Sequence, residues 1–199
     1  MDPLLIDLPE HLETDRLLLR PPRRGDGRIL NDAVRASHEE LAPWMPWAAT
    51  VPSVDESEAH CRRQQARFLL REDLVLLIFL RTADGGAGEL VGATGLHRID
   101  WTARKFEIGY WRRSGCAGSG LLTEAVRAVA RLAFDVLDAR RVEIRMDDAN
   151  VRSWKLAERA GFTLEALLRF DSATSAGEPR STRIYARVRG GEEPISATD

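Results

Sequence analysis

Between Glu107 and Glu124 the sequence reads EIGYWRRSGCAGSGLLTE. A β-rich run passes through three glycines straight into a long helical pattern. The first amides of a helix have no intrahelical partner and sit at the positive end of its dipole. Gly118, Ser119, Gly120, Leu121, Leu122 and Thr123 can therefore aim N–H groups at a phosphate or pyrophosphate, with glycine letting the backbone come close. A tight turn at a helix start reads equally well from this feature alone. Neither GxxxxGKS/T nor GxGxxG is present, which argues against a P-loop NTPase and a dinucleotide fold.

Other reactive side chains are sparse. Cys61 and Cys116 stand alone, with no CxxC and no histidine at ligand spacing, so neither a zinc site nor a disulfide framework is suggested, and Cys116 reads as a spacer. His97, in the strand VGATGLHRID, reads first as an ordinary strand histidine and second as one facing the cleft. Asp147 and Asp148 supply negative charge ahead of a helix, and Asn150 reads as its N-cap. The loop Leu41-Ala-Pro-Trp-Met-Pro-Trp47 carries Trp44 and Trp47 between prolines, suited to wall a pocket or to anchor the loop in the core.

The elements that must position these residues follow from periodicity. Leu12 to Arg20 reads as an opening strand ended by Pro21-Pro22. Asp26 can cap a helix with one apolar stripe, stopped by Pro43, and Ser53 with Glu56 has the capping-box form ahead of a second helix to about Arg71. Leu74–Arg81, Leu90–Ile99 and Lys105–Arg112 read as an antiparallel meander. Leu121 to Leu137 then follows helical spacing, and Arg141 to Met146 reads as a buried strand, which makes a βαβ unit. A helix from Asn150 to Ala160, closed by Gly161, precedes strands at Phe162–Phe170 and Arg180–Arg189. The expected fold is α+β, a mixed and mostly antiparallel sheet of about seven strands with four helices, in a single domain over 1–189 with a disordered tail over 190–199.

Composition bounds the partners. In 199 residues Lys+Arg number 29 and Asp+Glu 31, a net charge of -2, without the basic excess that drives binding to nucleic acid or anionic lipid. The longest apolar run, Leu74 to Leu80, falls far short of the roughly 20 residues of a membrane helix. With no basic start for a signal peptide, the expected location is cytoplasmic. A homodimer stays open.

Taken together, LETDRLLLR, APWMPW, VGATGLHRID, EIGYW, GSGLLTEAV and the closing NVRSWKLAERAGF resemble the GNAT superfamily of acyl-CoA-dependent N-acetyltransferases. Within it they are most similar to the RimJ/RimL-like branch that acetylates ribosomal-protein N-termini. The resemblance covers nearly the whole chain. It implies a sheet splayed between the fourth and fifth strands, the ones carrying EIGYW and VEIRM, with the pantetheine arm of acetyl-CoA along the first and the pyrophosphate on the following loop. It names Tyr110, Trp111, Gly118 to Thr123, Asn150 and Ser153 as the acetyl-CoA side, with no metal. The chain departs from the pattern where Ala117 and Leu122 replace the signature's first polar and last small residue, and where Ala157 stands in place of a tyrosine acid. Ser153 is the nearest polar substitute on that helix.

Ionisation decides what the side chains must do. A thiol leaves with a pKa near 8.5 and needs little help, so Ser153 would orient and stabilise the thiolate. The amine must be neutral to attack; an α-amine near 7.7 to 8.0 is partly so at pH 7, whereas a lysine-type amine near 10.4 is almost wholly protonated. Glu107 is the expected base, directly or through water, with a cross-strand salt bridge as its other reading and Glu143 as runner-up. A strand amide at Tyr110 or Trp111 would polarise the acyl oxygen. The expected reaction is direct transfer from acetyl-CoA to a primary amine, first the N-terminal α-amine of a protein or peptide received beside Trp44 and Trp47. Small amines are the alternative, and a non-catalytic acyl-CoA-binding module is the rival.

Overall fold

The computed structural model describes residues 2–116, 120–174 and 177–191. Gly118 and Ser119, and the expected tail beyond residue 191, lie outside these. The chain forms β1 (Leu12–Glu13), β2 (Leu17–Arg20), α1 (Gly27–Leu41), α2 (Val54–Leu69), β3 (Leu74–Arg81), β4 (Ala87–Asp100) and β5 (Lys105–Arg112). It continues through α3 (Leu121–Arg131), β6 (Arg141–Asp147), α4 (Val151–Arg159), β7 (Thr163–Ala173) and β8 (Pro179–Val188). The eight strands make one sheet in the order β1-β2-β3-β4-β5-β6-β8-β7, antiparallel at every junction but β5 with β6.

The opening strand expected over 12–20 is a hairpin, which raises the count to eight. Thr14 N–H donates to the Leu17 carbonyl at 2.9 Å and its hydroxyl accepts from Leu17 N–H at 3.0 Å, so the chain reverses within three residues. The capping box at Ser53 and Glu56 forms with both of its hydrogen bonds. Asp26 holds the N-cap position of α1 but its carboxylate does not cap; it takes two hydrogen bonds from Arg20, at 2.7 and 2.8 Å. The free amides there go to Glu58 of α2, which accepts from Gly25 and Gly27 at 3.0 Å. A hydrogen bond from Arg62, and then those from Gly25 and Gly27, pull the Glu58 carboxyl down to about 2.

Strands β2 to β5 alternate between two cores. On one face Leu76, Ile78, Leu96, Phe106, Ile108 and Ile144 pack under Ala125, Val126 and Val129 of α3 and Leu156 and Ala157 of α4. On the other, Leu77, Phe79, Leu90 and Ala93 pack under Leu30, Ala33 and Val34 of α1 and Cys61 of α2. β5 thus sends Phe106, Ile108 and Tyr110 to the α3/α4 side and Trp111 to the α1/α2 side.

Candidate active site

The parallel junction is short. β5 and β6 pair only at Lys105 with Arg141, Phe106 with Val142 and Glu107 with Glu143, although β5 runs on to Arg112 and β6 to Asp147. Beyond Glu107 the sheet opens into a V, with peptide groups of β5 freed from that ladder. On the α3/α4 side the gap is bridged by side chains. The Tyr110 hydroxyl lies 3.0 Å from the Ser153 hydroxyl and donates to the Ser153 carbonyl at 3.1 Å. Asn150 caps α4 by accepting from Ser153 N–H at 3.2 Å, which fixes that first turn. Burial pushes the Tyr110 phenol up to about 12, so it keeps its proton at neutral pH and serves as a donor.

Next to the V, β5 runs into the glycine loop, and α3 begins after Gly120, whose φ of 75° favours glycine. Leu121 and Thr123 are buried, so α3 packs into the core from its first turn. The turn is clamped: Glu124 accepts from Thr14 Oγ1 at 2.6 Å and from Arg16 Nε at 2.7 Å. Arg112 and Arg113 are ion-paired with Glu40 and Glu89 at 3.4 and 2.7 Å.

On the α1/α2 side a cavity of about 630 Å³ opens against the same strand. Gly109, Tyr110 and Trp111 of β5 form one wall, with Thr94 and His97 of β4 and Asp73 beside them. Trp47 lies 5.9 Å from Trp111, ring centre to ring centre, and remains 49% exposed at the cavity. The opposite wall is α2, whose Glu56, Ser57, His60, Arg63 and Gln64 recur at three- and four-residue spacing and so share one face. Gln64 Oε1 is buried without a hydrogen-bond partner among the described residues.

The expected site residues divide across this geometry. Tyr110, Ser153 and Asn150 converge at the V, and Trp111 and Trp47 at the cavity. Glu107 is not brought to the cavity lining: a bulge in β4 gives Arg98 a φ of 46°, and its guanidinium holds the Glu107 carboxylate at 3.0 Å. Burial, and then the nearby Glu143, raise the Glu107 carboxyl above its ordinary value against the pull of Arg98. Glu143 is itself held by Arg141 at 2.9 Å. Trp44 is separate from Trp47 and carries the Arg180 guanidinium 5.3 Å above its ring, while Arg180 pairs with Asp147 at 3.1 Å. Its loop therefore ties to the far arm of the V. Sequence reasoning passed over His60 and Gln64, although the spacing of polar residues on α2 was the available signal, and Asp73, in the turn before β3, for which there was none.

Comparison with known proteins agrees with this architecture. Residues 16–163 match the domain family described as acetyltransferase (GNAT) domain. YdaF of Bacillus subtilis (strain 168) is 39% identical over 82 residues, 41% of this chain, and the match spans only 45% of that relative. The uncharacterised N-acetyltransferase p20 of Bacillus licheniformis is 30% identical over 162 residues, covering 80% of this chain and 86% of p20. The ribosomal-protein-serine acetyltransferase of Escherichia coli is 27% identical over 127 residues, 63% of this chain and 69% of that protein. Among solved structures, a RimL ribosomal alpha-N-protein acetyltransferase in complex with coenzyme A shares the fold with a TM-score of 0.81 at 23% identity, over 90% of this chain and 98% of that one. With the domain match over most of its length and one short parallel junction among the described residues, the chain belongs to the GNAT family of acetyl-CoA-dependent N-acetyltransferases.

Proposed function

We propose that the acceptor is the N-terminal α-amine of a protein or peptide, received in the cavity between α2 and β5 while acetyl-CoA approaches from the α3/α4 side of the V. The observation that carries this reading is the position of the cavity. It meets β5 at Gly109 to Trp111, the residues that lie past the last β5–β6 pair, so acceptor and thioester reach one strand from opposite faces. Its contents suit an extended, polar guest. Trp47 and Trp111 offer rigid aromatic surface to the first side chains, and the polar face of α2 offers hydrogen-bond partners for a backbone.

The chain's own residues fit acetyl-CoA as the acetyl donor. Strand groups freed from the β5–β6 ladder would be available to the pantetheine arm and to the acyl oxygen, and among the described residues no side chain caps the start of α3, where the pyrophosphate would lie. Tyr110 and Ser153 stand together where a departing sulfur would gain a hydrogen bond. Holding both reactants in one cleft supplies much of the rate.

Acceptor competition tests the assignment. A short peptide with a free N-terminus, the same peptide N-terminally blocked but containing lysine, and a set of polyamines and aminocyclitols are compared by kcat/KM at pH 7.5. Ionisation alone favours the α-amine by a few hundredfold, since about a third of it is neutral against about a thousandth of an alkylamine. A preference beyond that ratio, lost in Trp47→Ala with acetyl-CoA affinity kept, is expected. A higher kcat/KM for a polyamine or aminocyclitol would replace the peptide by a small-molecule acceptor.

A further inference from the structure

Among the groups facing the cavity, one pair is arranged for proton transfer. His97 of β4 places Nδ1 2.6 Å from Asp73 Oδ1. A carboxylate only accepts, so Nδ1 carries the proton and, in the neutral ring, Nε2 keeps the lone pair. That nitrogen lies over β5. A Cβ built on Gly109 would come within 2.9 Å of both Nε2 and Cδ2, so the glycine makes the room in which the imidazole rests. The ring is neither sealed nor loose: its side chain is 32% exposed, both it and Asp73 line the cavity, and no hydrogen bond occupies Nε2 among the described residues. Asp73 is buried and anchored in turn by Arg67 at 3.1 Å.

We propose that His97 Nε2 takes the proton from the acceptor amine and that Asp73 is the positioning residue that holds the ring in the required tautomer. This rests on the cavity being the acceptor site. The acceptor ammonium gives one proton to Nε2, and its lone pair forms the C–N bond as the C–S bond breaks with its electron pair leaving on sulfur. Of the two protons then left on nitrogen, one stays in the amide and one balances the thiolate as thiol. The proton on the imidazolium passes to water through the open cavity.

The charges around the ring are mixed. Asp73 and Arg67 lie on its Nδ1 side, Glu56, His60 and Arg63 face the cavity from α2, and Glu107 with its partner Arg98 lies across the ladder on β5. Glu107, directly opposite His97 in register, is close enough for its charge to be felt by the imidazole, which gives that carboxylate an electrostatic part in place of the direct one expected from sequence.

His97→Gln and Asp73→Asn, both close in shape to the parent, are assayed from pH 6 to 9.5 with the parent's best amine acceptor, beside acetyl-CoA affinity by calorimetry. His97→Gln is expected to lower kcat/KM at pH 7 by about 10², the lower range of general-base assistance, and to recover most of it near pH 9.5, where the amine loses its proton unaided. Asp73→Asn should show the same pH-graded loss, with acetyl-CoA affinity of both within twofold of the parent. A loss equal at every pH would mark a structural role and overturn the proposal, as would parent-like rates in both variants. If His97→Gln does not fold, Asp73→Asn decides on the same two criteria. A parent inert toward every amine would instead overturn the acceptor-site reading on which the dyad stands.

Discussion

At the scale of single residues, the α3/α4 side of the V, where the thiolate is proposed to depart, carries the hydroxyls of both Tyr110 and Ser153. A serine hydroxyl is too weak an acid to protonate anything at neutral pH, and a phenol held near 12 also keeps its proton. What the pair can do is donate. Tyr110→Phe removes the donor that reaches across the gap and leaves Ser153 without its partner, while Ser153→Ala leaves a buried phenol to the Ser153 carbonyl alone. Each is expected to lower kcat by about tenfold, the worth of one hydrogen bond, with acetyl-CoA affinity changed far less. Steady-state kinetics of the two singles and the double would show non-additivity if the hydroxyls act as one unit. Ser153 was legible in the sequence through its place one turn after Asn150. The Tyr110 hydroxyl was not, because the sequence pointed to the strand amide of that residue and said nothing of what its side chain would reach. For Glu107 the sequence left the base and salt-bridge readings open; the bulge at Arg98, invisible in an unbroken β-rich run, brings its guanidinium onto that carboxylate.

At the scale of elements, the two helices over the cavity are joined by a carboxylate. Glu58 caps α1 from α2, so the α1 N-terminus and the polar wall of the cavity are held by one group. Its carboxyl is at about 2 in the folded chain against an ordinary 4.5. A depressed carboxyl stabilises the fold above the unfolded value and loses that contribution as pH falls through the folded one. Glu58→Gln should therefore be less stable than the parent at pH 7, and the gap in urea midpoint should close between about pH 4.5 and 2. A gap constant over that range would mean the bonds from Gly25 and Gly27 do not need the charge. The elements themselves were largely legible, since stripes such as Leu122, Ala125, Val126 and Val129 announce α3 and the capping box announces α2. The opening hairpin was not, because Thr14-Asp15-Arg16 lacks the glycine or proline that usually marks a reversal. Nor did the sequence show that Asp26 would prefer Arg20 to the helix it precedes.

At the scale of the whole molecule, the sheet is two ribbons, β1 to β5 and β6 to β8, joined by three residue pairs and by α3. The loop carrying Trp44 adds a lateral tie through Arg180 to Asp147, and Glu40 at the end of α1 reaches both Arg112 and Arg152, at 3.4 and 3.8 Å. The exposed Glu40–Arg152 pair is worth little and weakens with salt. A seam so narrow makes the two ribbons separately deformable. Amides of β5 beyond Glu107 should then exchange with solvent deuterium faster than those of β4 beside them, through partial openings that leave each ribbon intact. A bound molecule lying along the gap acts as a missing strand. At a hundredfold excess over its dissociation constant, acetyl-CoA should add about 2.7 kcal/mol to global stability and slow exchange selectively on the inner edges of both ribbons. Uniform slowing across the sheet would show that the ribbons already move as one body. In the proposed binding mode the narrow seam would give acetyl-CoA a mechanical office besides its chemical one: while it is bound, a sheet divided for entry would behave as a continuous one.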